Sequence, residues 1–125
     1  MVCIQATQRA FAAILADGSV KTWGGFAEGG DSSAVQGELR EVQQIQATSA
    51  AFAAILADGS VVTWGHERNG GNSSLVQEQL KDVRQIQATR SAFAAVRGDG
   101  SLVCWGNTRS GGDNRQVQAH LATLH

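Results

Sequence analysis

Residues 52–65, at the centre of the chain, read FAAILADGSVVTWG, two apolar runs joined by an Asp-Gly pair. Asp-Gly between apolar runs is a strong signal for a tight β-hairpin, because both positions tolerate positive φ. If the turn consists of that pair alone, Leu56 faces Val61 across the hairpin, and Ile55 faces Val62. Successive pairs lie on opposite faces of a sheet, and both faces here are apolar. The stretch therefore predicts an antiparallel sheet that neighbouring layers cover on both sides.

The same pattern recurs at residues 11–24 and 93–106, in each case 41 positions along the chain. Copies of Ile-Gln-Ala-Thr and of a Gly-Gly pair keep this spacing. A fixed period of this length indicates a repeat protein, in which each unit buries its faces against its neighbours. We expect a single repeat domain over residues 1–125, and its three units are 2–42, 43–83 and 84–124.

Each unit contains a second type of segment after its glycine pair. Val76, Leu80 and Val83 fall on one side of a helix, and the two serines before them suit a helix N-terminus. The first unit repeats this spacing in Val35, Leu39 and Val42. Residues 43–48 add a third strand to the hairpin. The sequence thus predicts a mainly β fold with three short antiparallel strands and one short helix in each unit.

The combined pattern carries a resemblance to a known family. The motif Val-x-x-Ile-x-Ala, followed by Asp-Gly-x-Val-x-x-Trp-Gly, is similar to the blade repeat of the regulator-of-chromosome-condensation family, which also occurs in HERC-type ubiquitin ligases. This resemblance implies β-propeller blades. The units here are shorter than the family's, and its Gly-Gln-Leu-Gly motif is reduced to Gly29-Gly30 and its copies. Three units are too few for the family's ring, so we expect a partial or open propeller; the alternative is a closed threefold β-trefoil-like fold.

Composition and motifs give no support for chemistry in this chain. The net charge is −1 over 125 residues, without blocks of either sign, which argues against nucleic acid as a partner. No apolar run is long enough to span a membrane. The Asp-Gly-Ser turns lack the carboxylate spacing of a calcium loop, and the glycine pairs lack a phosphate-binding motif. We expect no catalytic residue, cofactor or metal, no enzyme activity, and, since no targeting signal is visible, a cytoplasmic or nuclear location.

Three functions are consistent with this pattern. The first is a non-catalytic protein-interaction or structural module, a subunit or scaffold piece that binds other protein chains or itself. Its candidate contacts include Arg97 and the loop residues His66, Glu67 and Arg68, which vary between units. The second is a threefold carbohydrate-binding module, which requires its three equivalent tryptophans to be exposed. The third is a fragment of a guanine-nucleotide-exchange or ubiquitin-ligase propeller.

The two ends of the repeat differ in polarity. Arg97 stands where the earlier units carry Leu15 and Leu56. Terminal units of repeat arrays commonly have a polar outer face, because nothing stacks beyond them. We therefore predict an open row in which unit 84–124 is the capped end. Unit 2–42 would then expose an apolar interaction face around Phe11, Ile14 and Leu15.

Overall fold

The structure is a computed structural model that describes residues 3–74 and 76–106. Nine strands lie within these residues: β1 (Cys3–Ala6), β2 (Ala10–Ile14), β3 (Val20–Gly24), β4 (Val42–Ala47), β5 (Ala51–Leu56), β6 (Val61–Gly65), β7 (Val83–Ala88), β8 (Ala92–Arg97) and β9 (Leu102–Gly106). Four short helical segments connect them: a wide π-type turn at Phe26–Gly30 and single 3₁₀ turns at Gln36–Glu38, Glu67–Asn69 and Gln77–Gln79.

The strands form three separate sheets, in the orders β1-β2-β3, β4-β5-β6 and β7-β8-β9. All neighbours are antiparallel, and the second and third sheets share one register. This confirms the mainly β class and the three repeated units. Strands β4 and β7 begin at Val42 and Val83, the last residues of the predicted units 2–42 and 43–83.

The hairpin turn is one residue longer than the two-residue loop predicts. Ile55 pairs with Val61, not with Val62, and the Leu56 amide donates to the Ser60 carbonyl at 2.9 Å. The Gly59 amide donates back to the Leu56 carbonyl, and Gly59 has a φ of 85°. This is the three-residue turn in which glycine takes the left-handed position. The prediction that Leu56 faces Val61 was therefore wrong by one residue.

The predicted helix is reduced to one 3₁₀ turn in each of the first two units. Leu39 is buried as expected, but Val42 belongs to the next strand. Glu41, directly before Val42, has a φ of 54°, which a right-handed helix does not accommodate. Ser73 donates its hydroxyl to the Gln77 side chain and does not cap the helix backbone. Within the described residues, no helix has the length and apolarity needed to cross a bilayer.

The three sheets stack face to face, and the hydrophobic core lies between them. One buried cluster joins Ala12 and Ile14 of the first sheet to Phe52 and Trp64 of the second. A matching cluster joins the other face of the second sheet to the third. The middle sheet is therefore covered on both sides, as predicted. Separate stacked sheets are the arrangement of propeller blades, and the β-trefoil alternative does not describe this chain.

Candidate functional site

Two complete interfaces between blades show what a covered face looks like. Phe52 stacks on Trp64 with ring centroids 5.3 Å apart, and the Trp64 Nε1–H donates to the Gly29 carbonyl of the preceding unit at 3.2 Å. The next interface repeats this bond between Trp105 and Gly70 at 3.1 Å. Both tryptophans are 5% exposed. Each interface thus joins an aromatic pair on one sheet to a glycine loop from the sheet before it.

The glycine loop is fixed to its own sheet and fits closely against the next one. The Thr7 hydroxyl donates to the Glu28 carbonyl at 2.8 Å and so holds the loop on the first sheet. Gly29 has a φ of 102°, and a Cβ there would lie 2.6 Å from Cδ2 of Phe52. Only glycine combines this backbone conformation with so close an approach to an aromatic ring.

The corresponding face of the first sheet has the aromatic pair, but no loop from the described residues covers it. Phe11 and Trp23 stack with centroids 5.4 Å apart, as in the covered blades. Phe11 is 44% exposed and Trp23 46%, and Ile4 beside them is 55% exposed. Among the described residues, the Trp23 indole N–H has no hydrogen-bond partner. We call Ile4, Phe11, Ala13, Lys21 and Trp23 the open face; it is half of a blade interface.

The sequence placed some of these residues correctly and missed others. Phe11 lies on the open face, and the half-buried Leu15 follows it on the same side of β2. Ile14 lies on the opposite side and is buried against the second sheet, so its inclusion in this face was wrong. Ile4 and Trp23 were missed; the 41-residue step makes them equivalent to Ile45 and Trp64, but their exposure follows from the stacking order of the sheets and not from the sequence.

Arg97 does not mark the outer end of the row. Strand alternation places it on the same face of β8 as Phe93, and that face packs against the second sheet. Its equivalent Leu56 packs in the same way against the first interface. The Arg97 side chain reaches the edge of the interface, where its Nε donates to the Lys81 carbonyl at 3.3 Å. The prediction that Arg97 lies on the outer, polar face of unit 84–124 was therefore wrong. Residues 107–124 of that unit lie outside the described residues.

The loop residues His66, Glu67 and Arg68 are exposed, but they lie away from the open face. Nδ1 of His66 accepts from the Arg68 amide at 3.3 Å and so shapes the 3₁₀ turn. Gly70, directly after this turn, lies against Phe93 of the third sheet. The loop thus belongs to the interface between the second and third sheets.

The threefold carbohydrate-binding alternative requires three exposed tryptophans, and the structure provides one. Trp64 and Trp105 are buried between blades, and only Trp23 is open to solvent. The buried positions cannot stack on a sugar ring, because the sheets in front of them occupy that space. This alternative is therefore wrong for the chain as folded.

The charged groups of the described residues do not form a reactive site. No group of three or more His, Cys, Asp or Glu side chains lies close enough there to hold a metal ion. The pKa of Asp58 is lowered, mainly by the hydrogen bond from the Ser60 hydroxyl, and Asp17 and Asp99 have the same arrangement. These carboxylates are exposed and hold hairpin turns. The open face is consequently the feature of the described residues that their own packing does not explain.

Stacked, antiparallel, three-stranded sheets in an open row define a partial β-propeller. No family model and no curated protein matches the chain by sequence. Among solved structures it is similar to yeast RCC1 (Prp20) bound to Kap60, with a TM-score of 0.64, 18% identity, and coverage of 83% of this chain and 29% of that one. The blades are thus RCC1-like propeller repeats, which confirms the resemblance at the level of fold.

Two other solved structures give the same result. Prp20p from Saccharomyces cerevisiae matches with a TM-score of 0.60 and 18% identity, over 83% of this chain and 30% of that chain. Human WBSCR16 matches with a TM-score of 0.56 and 21% identity, over 78% and 32%. The chain spans less than a third of the length of each of these proteins.

Proposed function

We propose that this chain is a non-catalytic protein-interaction module, a subunit or scaffold piece of a larger assembly, and that its residues 1–125 form one repeat domain. The observation that carries the proposal is the open face. Ile4, Phe11 and Trp23 are each about half exposed, whereas their equivalents in the other two units are buried. Contiguous exposed apolar side chains of this size mark interaction surfaces in soluble proteins.

The shape of the open face favours a protein partner over a small ligand. The face is one side of a three-stranded sheet, and the covered faces of the other blades are filled by polypeptide. Small-molecule sites are concave and enclose most of the ligand surface, which this face does not. In one of the similar solved structures Kap60 is bound to yeast RCC1 (Prp20), so a protein that contains this fold has a protein partner in that case.

A second candidate is a fragment of an exchange-factor or ligase propeller. It is favoured by the similarity to RCC1 structures of which this chain covers less than a third. Nucleotide release from small GTPases tests it directly. Faster nucleotide release in the presence of this chain would support the exchange-factor hypothesis and contradict a purely structural role.

The first prediction tests the open face as a protein-binding surface. We expect native mass spectrometry, together with affinity capture from the source cells, to show the chain bound to protein. Phe11→Glu should reduce the bound fraction at least about tenfold, because it buries a charge in any complex that uses this face. Phe11 is exposed, so the variant should keep the circular dichroism spectrum of the unchanged chain.

Arg40→Glu is the control, since it changes charge at an exposed site that lies neither on the open face nor in the candidate loop His66, Glu67 and Arg68. It should leave binding unchanged. A chain that is monomeric and captures no protein would contradict the proposed function. Equal losses in both variants would show that the open face is not the binding surface.

A further inference from the structure

Each complete blade interface consists of two different halves. The acceptor half is the sheet face that carries the Phe-Trp pair. The donor half comes from the preceding unit and contains the glycine whose carbonyl accepts the indole N–H. It also contains a leucine on the turn that follows, and both Leu39 and Leu80 are 1% exposed. The two halves cannot exchange roles, so every such interface has a direction along the chain.

Within residues 3–74 and 76–106, one acceptor half has no donor half against it, namely the open face of the first sheet. The sequence of residues 107–124 repeats the donor half at the same 41-residue step. Gly111 corresponds to Gly29 and Gly70, and Leu121 corresponds to Leu39 and Leu80. One chain therefore carries an unfilled acceptor in its first unit and the sequence of a further donor in its last unit.

We propose that the open face binds the 107–124 segment of a second copy of this chain, head to tail. The proposal rests on the proposed function, because it names the partner of the same face. In this contact the Trp23 Nε1–H donates to the Gly111 carbonyl of the other copy, as Trp64 donates to Gly29 within one chain. By the 41-residue correspondence, we expect Leu121 of that copy to take the role that Leu39 has within one chain. Such an interface is heterologous, so repeated association gives rings or filaments and not a symmetric pair.

A groove beside the open face supports this geometry. In the second unit the groove is lined by Thr63, Ser73 and Gln77 and also by Val35 and Glu38 of the preceding unit. The equivalent groove of the first unit is lined only by residues of its own unit. The missing wall has its counterpart in the sequence of the last unit, where Val117 and His120 hold the positions of Val35 and Glu38.

Lys21 sets the strength of this contact. It lies on the open face at the position of Val62 and Val103, which are 7% and 3% exposed. It also lines the open groove, so its ammonium group reaches solvent along that groove while its stem covers the sheet. An ammonium group at the rim of an apolar contact weakens it and makes association reversible. Lys21→Val should therefore tighten association at least about tenfold.

The decisive experiment mixes two blocked variants of the full chain. Phe11→Glu blocks the acceptor half, and Leu121→Glu blocks the donor half. By sedimentation velocity up to about 100 µM, the unchanged chain should form larger species as its concentration rises, and each variant alone should be monomeric. The equimolar mixture should form a one-to-one dimer, because one good acceptor and one good donor remain.

Two further variants keep the test independent of any folding defect in Leu121→Glu. Trp23→Phe keeps the aromatic stack and removes the N–H, so association should weaken by about tenfold. In the unchanged chain, iodide quenching of Trp23 should fall as the concentration rises, because the other two tryptophans are already buried. Lys21→Val, in contrast to Trp23→Phe, should increase the solution mass at a given concentration, because it tightens association.

Each alternative result overturns the inference in a recognisable way. A dimer that survives Leu121→Glu but not Phe11→Glu would show that two open faces meet. An unchanged chain that stays monomeric at all concentrations would show that a second copy is not the occupant. If that monomer still captures another protein and loses it in Phe11→Glu, the proposed function stands and the head-to-tail contact does not.

Discussion

The carboxylate of Asp58 organises the hairpin turn of the middle blade. Its Oδ1 accepts from the Ser60 amide at 3.0 Å and from the Ser60 hydroxyl at 2.6 Å. The same two bonds form in the first and third units. Both bonds favour the charged form, so they hold the pKa of Asp58 below its ordinary value of 3.8. The Asp-Gly-Ser motif therefore holds the turn.

Removing the Ser60 hydroxyl should raise the pKa of Asp58 towards its ordinary value. A carboxyl whose pKa is lower in the folded than in the unfolded chain adds stability above pH 4 or so. It loses that contribution as the pH falls through the folded-state pKa. Ser60→Ala should thus make the contribution of this turn to the free energy of unfolding less dependent on pH in the acid range. Carbon-detected NMR titration of the Asp58 carboxyl measures the change in its pKa. Asp17 and Asp99 are internal controls, and a titration of Asp58 that does not move would contradict this account.

At the scale of elements, the glycine loop connects each blade to the next one. Gly29→Ala would place a methyl group against the Phe52 ring at a backbone φ of 102°. We expect a loss of unfolding free energy of about 2 kcal/mol or more, since both the ring and the backbone must shift. Chemical denaturation measures the loss.

Gly37→Ala is the matched control for the element scale. Gly37 lies in the 3₁₀ turn Gln36–Glu38, and a Cβ there would have no atom within 4 Å. This variant should be neutral or more stable by about 0.5 kcal/mol, because alanine restricts the unfolded chain. If the two variants lost equal stability, close packing of the loop against Phe52 would not be the cause.

The sequence predicts the strands well because they depend on a period of two and on turn residues. It missed the length of the turn, since an Asp-Gly pair fits both two-residue and three-residue hairpins. It predicted too long a helix, because the three-residue spacing of Leu39 and Val42 fits an α-helix and also fits a 3₁₀ turn followed by a strand. The alternation of side chains along β8 determines the face on which Arg97 lies. The comparison of Arg97 with Leu15 and Leu56 in the sequence did not use this alternation.

The candidate site could be predicted only in part from the sequence, for a related reason. The 41-residue step identifies Trp23, Trp64 and Trp105 as equivalent, and equivalence alone predicts a common environment. Their exposures differ because burial comes from the neighbouring blade and not from the residue itself. Sequence locates the half-interface, and only the stacking order shows that the first one is unfilled.

At the scale of the whole molecule, the described sheets form a short linear stack. In such a stack, stability is the sum of the units and of the contacts between neighbours. The middle sheet has two covered faces, and five residues of β5, Ala51 to Ile55, are buried. Strand β1 is exposed along all of its residues, Cys3–Ala6. Opening the middle sheet breaks two interfaces, whereas releasing the first sheet breaks one.

Hydrogen exchange should therefore be graded along the stack. We expect the amides of β5 to exchange only through global unfolding. Those of β1 and β2 should exchange through an opening of the first sheet that requires less free energy. The Phe11→Glu variant is suited to this measurement, because its exchange should not depend on protein concentration. In the unchanged chain, protection of β1 and β2 should rise with concentration as the open face becomes covered. Equal protection in the first and middle sheets at low concentration would show that the blades unfold as one cooperative unit and would contradict this prediction.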